Sequence, residues 1–234
     1  MKWDKRLKIM RLSTVIIAVC LVLLVIFAGF TYYGDKVGNF VISIHNSDIK
    51  LALSEKEDLS DATARLTVKG MENQTLATYS FIPDDISAGL GSKNDLNDYY
   101  YMAFSFYLIN YSSSAVDYDV SLNIIDTIGD PTGALRVLLI EGDGGKDAGT
   151  VYAKEEASES DKQWLDEQLK NFQPYEASYF LTEKQIFYQR KIDLQPNDKV
   201  KYTVVIWLEG CDIDGNNARY GERIKMEMNF YGKK

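Results

Sequence analysis

The chain has 234 residues, with 26 Lys and Arg against 34 Asp and Glu, one histidine and two cysteines. A net charge of −8 argues against the basic surface that nucleic-acid binding requires. Two cysteines are too few for a disulfide-rich scaffold, but roughly 200 residues bury a large core without disulfides.

An uncharged, apolar segment at residues 12–33 predicts a transmembrane helix, because about 20 apolar residues span a bilayer. Basic residues at positions 2, 5, 6, 8 and 11 precede it, and a basic flank stays in the cytoplasm. We expect a cytoplasmic segment at residues 1–11, a signal-anchor helix at residues 12–33 and an extracytoplasmic domain at residues 34–234. The alternative is a cleaved signal peptide, but small residues are poorly placed for cleavage, which favours retention.

The part of the chain beyond the anchor is strongly acidic. The first 36 residues carry six basic and two acidic side chains, which leaves 20 basic and 32 acidic side chains for the remainder. Such a surface favours solubility, divalent cations or basic partners. Cys20 lies in the apolar segment and Cys211 far along the domain, so we expect no internal disulfide. Cys211 is either silent or available for an intermolecular bond.

The sequence of the first half of the domain predicts short strands around one central strand. Residues 38–53 and 63–69 alternate apolar and polar side chains, which predicts strands. Residues 76–82 are expected to pair nearby, and residues 83–98, rich in Asp, Ser, Gly and Asn, to form a solvated loop. Residues 99–111 are apolar on both faces, as in the central strand of a sandwich.

The second half contains the clearest strand patterns. They occur at residues 116–124, 134–140, 185–194, 199–209 and 222–231. Residues 150–153 are the expected hairpin partner of 134–140, across a glycine-rich turn. The polar loop that separates 199–209 from 222–231 makes these two strands plausible antiparallel partners.

One short helix is predicted outside the apolar segment. Ser160 and Gln163 have the spacing of a capping box, and Pro174 ends the pattern. With roughly nine to eleven strands, the pattern indicates an all-β fold. We expect an antiparallel, jelly-roll-like β-sandwich with one short helix, preceded by the N-terminal transmembrane helix.

The residues give no pattern for catalysis. Nucleophilic hydrolases need an imidazole base, and the only histidine, His45, falls on the polar side of a predicted strand. Zinc hydrolases need two or three histidines or the helical His-Glu-x-x-His signature, which is missing from the sequence. We therefore expect no enzymatic activity.

One loop is a candidate calcium site. Its oxygen-bearing side chains are Glu209, Asp212, Asp214 and Asn216, with a glycine at position 215. Hard oxygen ligands at alternate positions of a glycine-containing loop suit calcium. The alternative is a polar hairpin loop that uses Asp-Gly and Asn for positive φ angles. No other cofactor is expected.

Both ends of the chain resemble a known family. The stretch YTVVIWLEGCDID, which contains Trp207, Glu209 and Asp212, is followed by an alternating terminal strand that ends in KMEMNF. This resembles the closing motif of exported Gram-positive proteins of the TasA/camelysin group. The apolar segment followed by Tyr-Tyr-Gly-Asp and by Asn39-Phe40 is similar too. The resemblance implies a jelly-roll domain at the cell surface, related to biofilm matrix fibre subunits. Camelysin-like members have been described as metallopeptidases, but this sequence has no recognisable zinc site.

The sequence therefore predicts a non-enzymatic, single-pass membrane protein with its N-terminus in the cytoplasm and its β-domain outside. The expected role is extracellular matrix assembly, adhesion or envelope organisation, with self-assembly or other surface proteins as partners and no nucleic acid. The alternative is an extracytoplasmic module of a membrane complex that binds carbohydrate or peptide.

Overall fold

The computed structural model describes residues 14–28, 40–45, 49–70, 75–94, 100–156, 158–212 and 223–233. The chain divides into two compact units, Met1–Gly38 and Asn39–Lys234. In the first unit, residues 14–28 form helix α1, and its large apolar side chains are all exposed, up to 73% for Val25. Among the described residues, no helix combines the length and the apolar character needed to cross a membrane.

The second unit is built mainly from strands. They are β1 (Phe40–His45), β2 (Leu51–Ser54), β3 (Arg65–Val68), β4 (Gly91–Ser92), β5 (Tyr101–Asn110), β6 (Val116–Ile128), β7 (Leu135–Glu141), β8 (Thr150–Ala153), β9 (Ala177–Tyr179), β10 (Gln185–Leu194), β11 (Lys199–Leu208) and β12 (Arg223–Lys233). Helix α2 spans Glu159–Leu169, and short 3-10 helices span Tyr79–Phe81 and Lys146–Ala148.

The strands form two sheets in a sandwich-like arrangement, as the sequence predicts. The five-stranded sheet has the order β10-β6-β12-β1-β3, and the seven-stranded sheet has the order β2-β5-β11-β7-β8-β9, with β4 also beside β5. Most neighbours are antiparallel, but β1–β12 and β8–β9 are parallel. The prediction of a purely antiparallel sandwich is therefore wrong at these two pairs. The first and last strands can run parallel because the rest of the domain connects them.

The main core lies between the sheets and follows the sequence alternation. Val120 and Leu122 from β6 and Met228 and Phe230 from β12 are fully buried against the inner side chains of the other sheet. All ten residues of β5 are buried, which confirms its predicted central position. The far side of the seven-stranded sheet carries a second apolar cluster around Trp207.

The predicted pairing of the last two long strands is wrong. β11 lies between β5 and β7, whereas β12 lies between β6 and β1 in the other sheet. Alternation shows which face of a strand is buried but not which sheet the strand joins. β11 is buried on both faces along most of its length, as an interior strand must be when both sides of its sheet are covered.

The structure also differs from three local predictions. Residues 76–82 form a bridge at Ala77 and a 3-10 helix, not a continuous strand. The loop at residues 83–98 is only partly solvated, because Ile86 and Ser87 are buried and Gly91–Ser92 pairs with β5. Helix α2 begins two residues earlier than expected, because the oxygen of Ser158 accepts from the backbone N–H of Asp161. The hairpin of β7 and β8 is confirmed.

Candidate functional site

Two of the four candidate calcium ligands follow β11 directly and are withdrawn from solvent. Glu209 and Asp212 each have 0% exposure. The chain is fixed there because the N–H of Glu209 donates to the carbonyl of Ala134, and the N–H of Gly210 donates to the carbonyl of Ala77. Acidic side chains are almost never fully buried unless they are paired, so positive charge or several donors must lie nearby.

Arg136 of β7 supplies that positive charge. Its Nη2 lies 2.6 Å from Oδ2 of Asp212, and the two side chains expose 1% and 0% of their surface. Nη2 also lies 3.5 Å from Oε1 of Glu156. Nη1 donates to the carbonyls of Gly133 and Leu135. The guanidinium is therefore paired and hydrogen-bonded on several sides, which a buried charge requires.

Tyr175 connects this ion pair to Glu209. Its hydroxyl accepts from Nε of Arg136 at 3.1 Å and donates to Oε2 of Glu209 at 2.8 Å. The indole Nε1 of Trp207 donates to the same oxygen at 3.1 Å, and the N–H of Cys211 donates to Oε1 at 3.2 Å. Burial raises the pKa of Tyr175. We call Arg136, Glu156, Tyr175, Trp207, Glu209 and Asp212 the Arg136 network.

The thiol of Cys211 lies at the edge of this network and is 6% exposed. Burial, and then the neighbouring carboxylate of Glu209, raise the pKa of Cys211 to about 11. The thiol is therefore protonated at neutral pH, and only the thiolate is a good nucleophile or disulfide-forming group. An intermolecular disulfide at Cys211 would require this region to open.

The structure describes only part of the predicted calcium site. Asp214 and Asn216 lie outside the described residues, so the structure brings together only Glu209 and Asp212. Beside Asp212, the guanidinium of Arg136 takes the position that a cation would occupy. Within the described ranges, no group of three or more His, Cys, Asp and Glu side chains could hold a metal ion. The calcium site stays a prediction.

The sequence did not identify Arg136 and Tyr175 as candidate site residues. Arg136 interrupts an apolar run, Ala-Leu-Arg-Val-Leu-Leu-Ile, that reads simply as a buried strand. A charged residue in such a run is the signal that could have been used, because a fully buried arginine needs an acidic partner. The identity of that partner depends on the placement of β7 beside β11.

A pocket of about 300 Å³ opens beside the network, under helix α2. The aromatic residues Phe81, Trp164 and Phe172 line it, together with Thr78, Gln168 and Cys211. Phe81 and Phe172 remain nearly half exposed. Its lining combines apolar residues with a few polar ones, a composition that small-molecule sites share.

Comparison with protein-family models found no match, and comparison with curated proteins found none either.

Proposed function

We propose that the chain is a non-enzymatic, membrane-anchored surface protein that acts in matrix assembly, adhesion or envelope organisation outside the cell. One observation carries the proposal: helix α1, within the uncharged segment of residues 12–33, exposes every large apolar side chain and belongs to a different compact unit from the sandwich. Exposed apolar surface of this extent needs lipid or protein to cover it. The basic residues before it favour a cytoplasmic N-terminus.

The sandwich is suited to assembly through its edges, and its jelly-roll type is part of this proposal. Among the described strands, β10 has a strand neighbour on one side only. It is ten residues long and carries Ile192 at 72% exposure and Tyr188 at 47%. An unpaired edge offers backbone groups to another strand. Its Arg190 and Lys191 oppose uncontrolled pairing, which favours assembly with a specific partner.

The anchor is tested by fractionation of the full-length chain expressed in a Gram-positive host. We expect the protein in the membrane fraction after carbonate extraction, and we expect protease added to intact cells to remove the sandwich. A Leu21→Arg/Leu24→Arg variant should lose this membrane retention, whereas the matched apolar variant Leu21→Ile/Leu24→Ile should keep it. Recovery of the wild type in the soluble cytoplasmic fraction would contradict the proposal.

Assembly is tested by light scattering of the full-length chain in detergent, over a range of concentrations, with calcium or with chelator. Concentration-dependent growth of elongated particles supports a matrix role. A constant particle size excludes self-assembly as the mode of action and leaves adhesion or envelope organisation.

A second candidate function is an extracytoplasmic ligand-binding module of a membrane complex. The observation that favours it is the aromatic pocket of about 300 Å³ under helix α2. This function predicts that a ligand binds with a fixed stoichiometry and that no fibres form. A Trp164→Ala variant should lose ligand binding, whereas a Tyr179→Ala variant should keep it.

A further inference from the structure

One end of the five-stranded sheet holds the start of β1 and the tip of β6. β1 runs parallel to β12, and Phe40 lies opposite Met226. β6 runs antiparallel to β12, and its last residue, Ile128, lies opposite Arg223. These two positions of β12 are three residues apart, so the tip of β6 extends roughly 10 Å beyond the level of Phe40. The residues at the tip of β6 are therefore the outermost part of this end of the sheet.

Exposed aliphatic side chains collect at this end. Ile128 is 56% exposed, and Ile125, the extra residue at the register shift between β6 and β12, is 46% exposed. Leu181 is also 56% exposed and lies in the turn that leads from β9 into β10. That turn lies beside the same part of β6, because the N–H of Ile124 donates to the carbonyl of Lys184. Three large aliphatic side chains thus face solvent around the tip of β6.

The seven-stranded sheet contributes aromatic side chains to the same end of the sandwich. Tyr179, which is nearly half exposed, ends β9 directly before the turn that holds Leu181. The start of β7 and the end of β11 lie beside it in the sheet. Gly210 follows β11 and lines the pocket under helix α2 together with Phe81 and Phe172, which are both nearly half exposed. We call these side chains the apolar end: Phe81, Ile125, Ile128, Phe172, Tyr179 and Leu181.

A short stretch of chain connects this end of the sandwich to the proposed anchor. Residues 34–39 link the uncharged segment of residues 12–33 to Phe40. The seven Cα steps from Tyr33 to Phe40 span at most about 25 Å. A bilayer that holds the segment therefore lies within that distance of the start of β1. The apolar end is thus within reach of the lipid surface.

Lipid is the partner whose chemistry fits the apolar end. Exposed aliphatic and aromatic side chains mark a contact surface, and such side chains enter the boundary between headgroups and acyl chains at a membrane surface. The tether keeps the bilayer at a high effective concentration, so even a weak contact is populated. The acidic balance of the chain beyond the anchor opposes attraction by anionic lipids. The contact therefore depends on apolar side chains and not on charge.

We propose that the apolar end rests on the outer surface of the membrane, with Ile125, Ile128 and Leu181 inserted at the boundary between headgroups and acyl chains. This contact holds the sandwich in one orientation on the bilayer. Ile192, near the end of β10 that pairs with the start of β6, then faces away from the lipid. The inference rests on the proposed function, because the anchor brings the apolar end to the membrane.

The test is fluorescence quenching of single introduced tryptophans in the full-length chain, reconstituted into phosphatidylcholine vesicles. A Trp3→Phe/Trp164→Phe background leaves Trp207 as the only native tryptophan, and Trp207 is fully buried. Phosphatidylcholine with bromine near the headgroup end of its acyl chains should quench the added emission of Ile128→Trp and of Leu181→Trp. Ile192→Trp is the matched control, because Ile192 is a 72% exposed isoleucine at the other end of the sandwich. Its emission should be quenched by aqueous iodide and not by brominated lipid.

Flotation of the vesicles separates this inference from the proposed function. A chain that does not float with the vesicles contradicts the anchor, and with it the inference. A chain that floats while brominated lipid quenches neither Ile128→Trp nor Leu181→Trp overturns the lipid contact and leaves the anchor intact. Equal quenching of Ile192→Trp overturns the contact as well, and so does blue-shifted emission without lipid quenching, which would place a protein partner or a second copy on the apolar end. Both replaced side chains are exposed, so thermal unfolding should be unchanged, and each reporter is read without the other.

Discussion

Nη2 of Arg136 lies 2.6 Å from Oδ2 of Asp212, and neither side chain reaches solvent. The pair joins β7 to the segment that leaves β11, and Tyr175 extends it to Glu209. Since a buried charge that loses its partner stays desolvated, the pair makes the local structure sensitive to single substitutions.

Asp212→Asn should destabilise the sandwich strongly. The variant leaves buried Arg136 with only the more distant carboxylate of Glu156, at 3.5 Å, and removing one partner of a buried ion pair costs about 3–5 kcal/mol. Urea unfolding of the full-length chain, followed by tryptophan fluorescence, gives the change in midpoint at constant slope. The exposed pair of Arg190 and Asp117 provides the control, because Asp117→Asn should cost less than about 1 kcal/mol. The double variant Arg136→Met/Asp212→Leu should lose less stability than Arg136→Met and Asp212→Leu lose when their separate effects are added. Additive losses would contradict the energetic coupling of Arg136 and Asp212.

Ser158→Ala should weaken helix α2 by about 1 kcal/mol, the usual value for the loss of an N-cap. The oxygen of Ser158 accepts from the N–H of Asp161 at 3.2 Å. Ser160→Ala, inside the first turn, is the matched control and should change the helix by a few tenths of a kcal/mol at most. Hydrogen exchange of the α2 amides measures both. Equal effects of the two variants would show that Ser158 is not the cap.

Cys211 should react slowly with thiol reagents in the folded protein. In a Cys20→Ser background it is the only thiol, since the chain has two cysteines. Because its pKa is raised to about 11, the rate of modification should rise roughly tenfold per pH unit between pH 8 and pH 10, in step with the thiolate fraction. Unfolding in urea should make the reaction fast at pH 8. Rapid, stoichiometric modification without urea would contradict the burial.

Acid should destabilise the sandwich through Asp119, which lies on β6 and pairs with Lys233. Burial raises the pKa of Asp119, but hydrogen bonds from Lys233 and Tyr188 outweigh burial and hold the pKa below its ordinary value. A carboxylate whose folded pKa is depressed contributes stability above its unfolded pKa, about 4, and loses it as pH falls through the folded value. Stability measured by urea unfolding should therefore fall below about pH 4. Asp119→Asn and Lys233→Met should each reduce the dependence of stability on pH in this range. An unchanged pH dependence in both variants would show that Asp119 is not the group responsible.

The sequence by itself determined most of the long strands and, for several of them, the buried face. Alternation in β1, β6 and β12, and the double-sided apolar pattern of β5, are local properties that the chain carries into any sheet. The charge-free segment at residues 12–33 and the strongly acidic remainder are likewise visible without coordinates.

Only the tertiary structure decided which strands are neighbours and what the buried charges do. β11 and β12 have clear strand patterns, yet they joined opposite sheets, because pairing depends on long-range packing that periodicity does not encode. For the same reason the sequence predicts Glu209 and Asp212 as exposed loop ligands, but both are buried. Arg136, on a strand more than 70 residues earlier, contacts Asp212 directly and Glu209 through Tyr175. Desolvation at that contact is a property of the assembled sandwich.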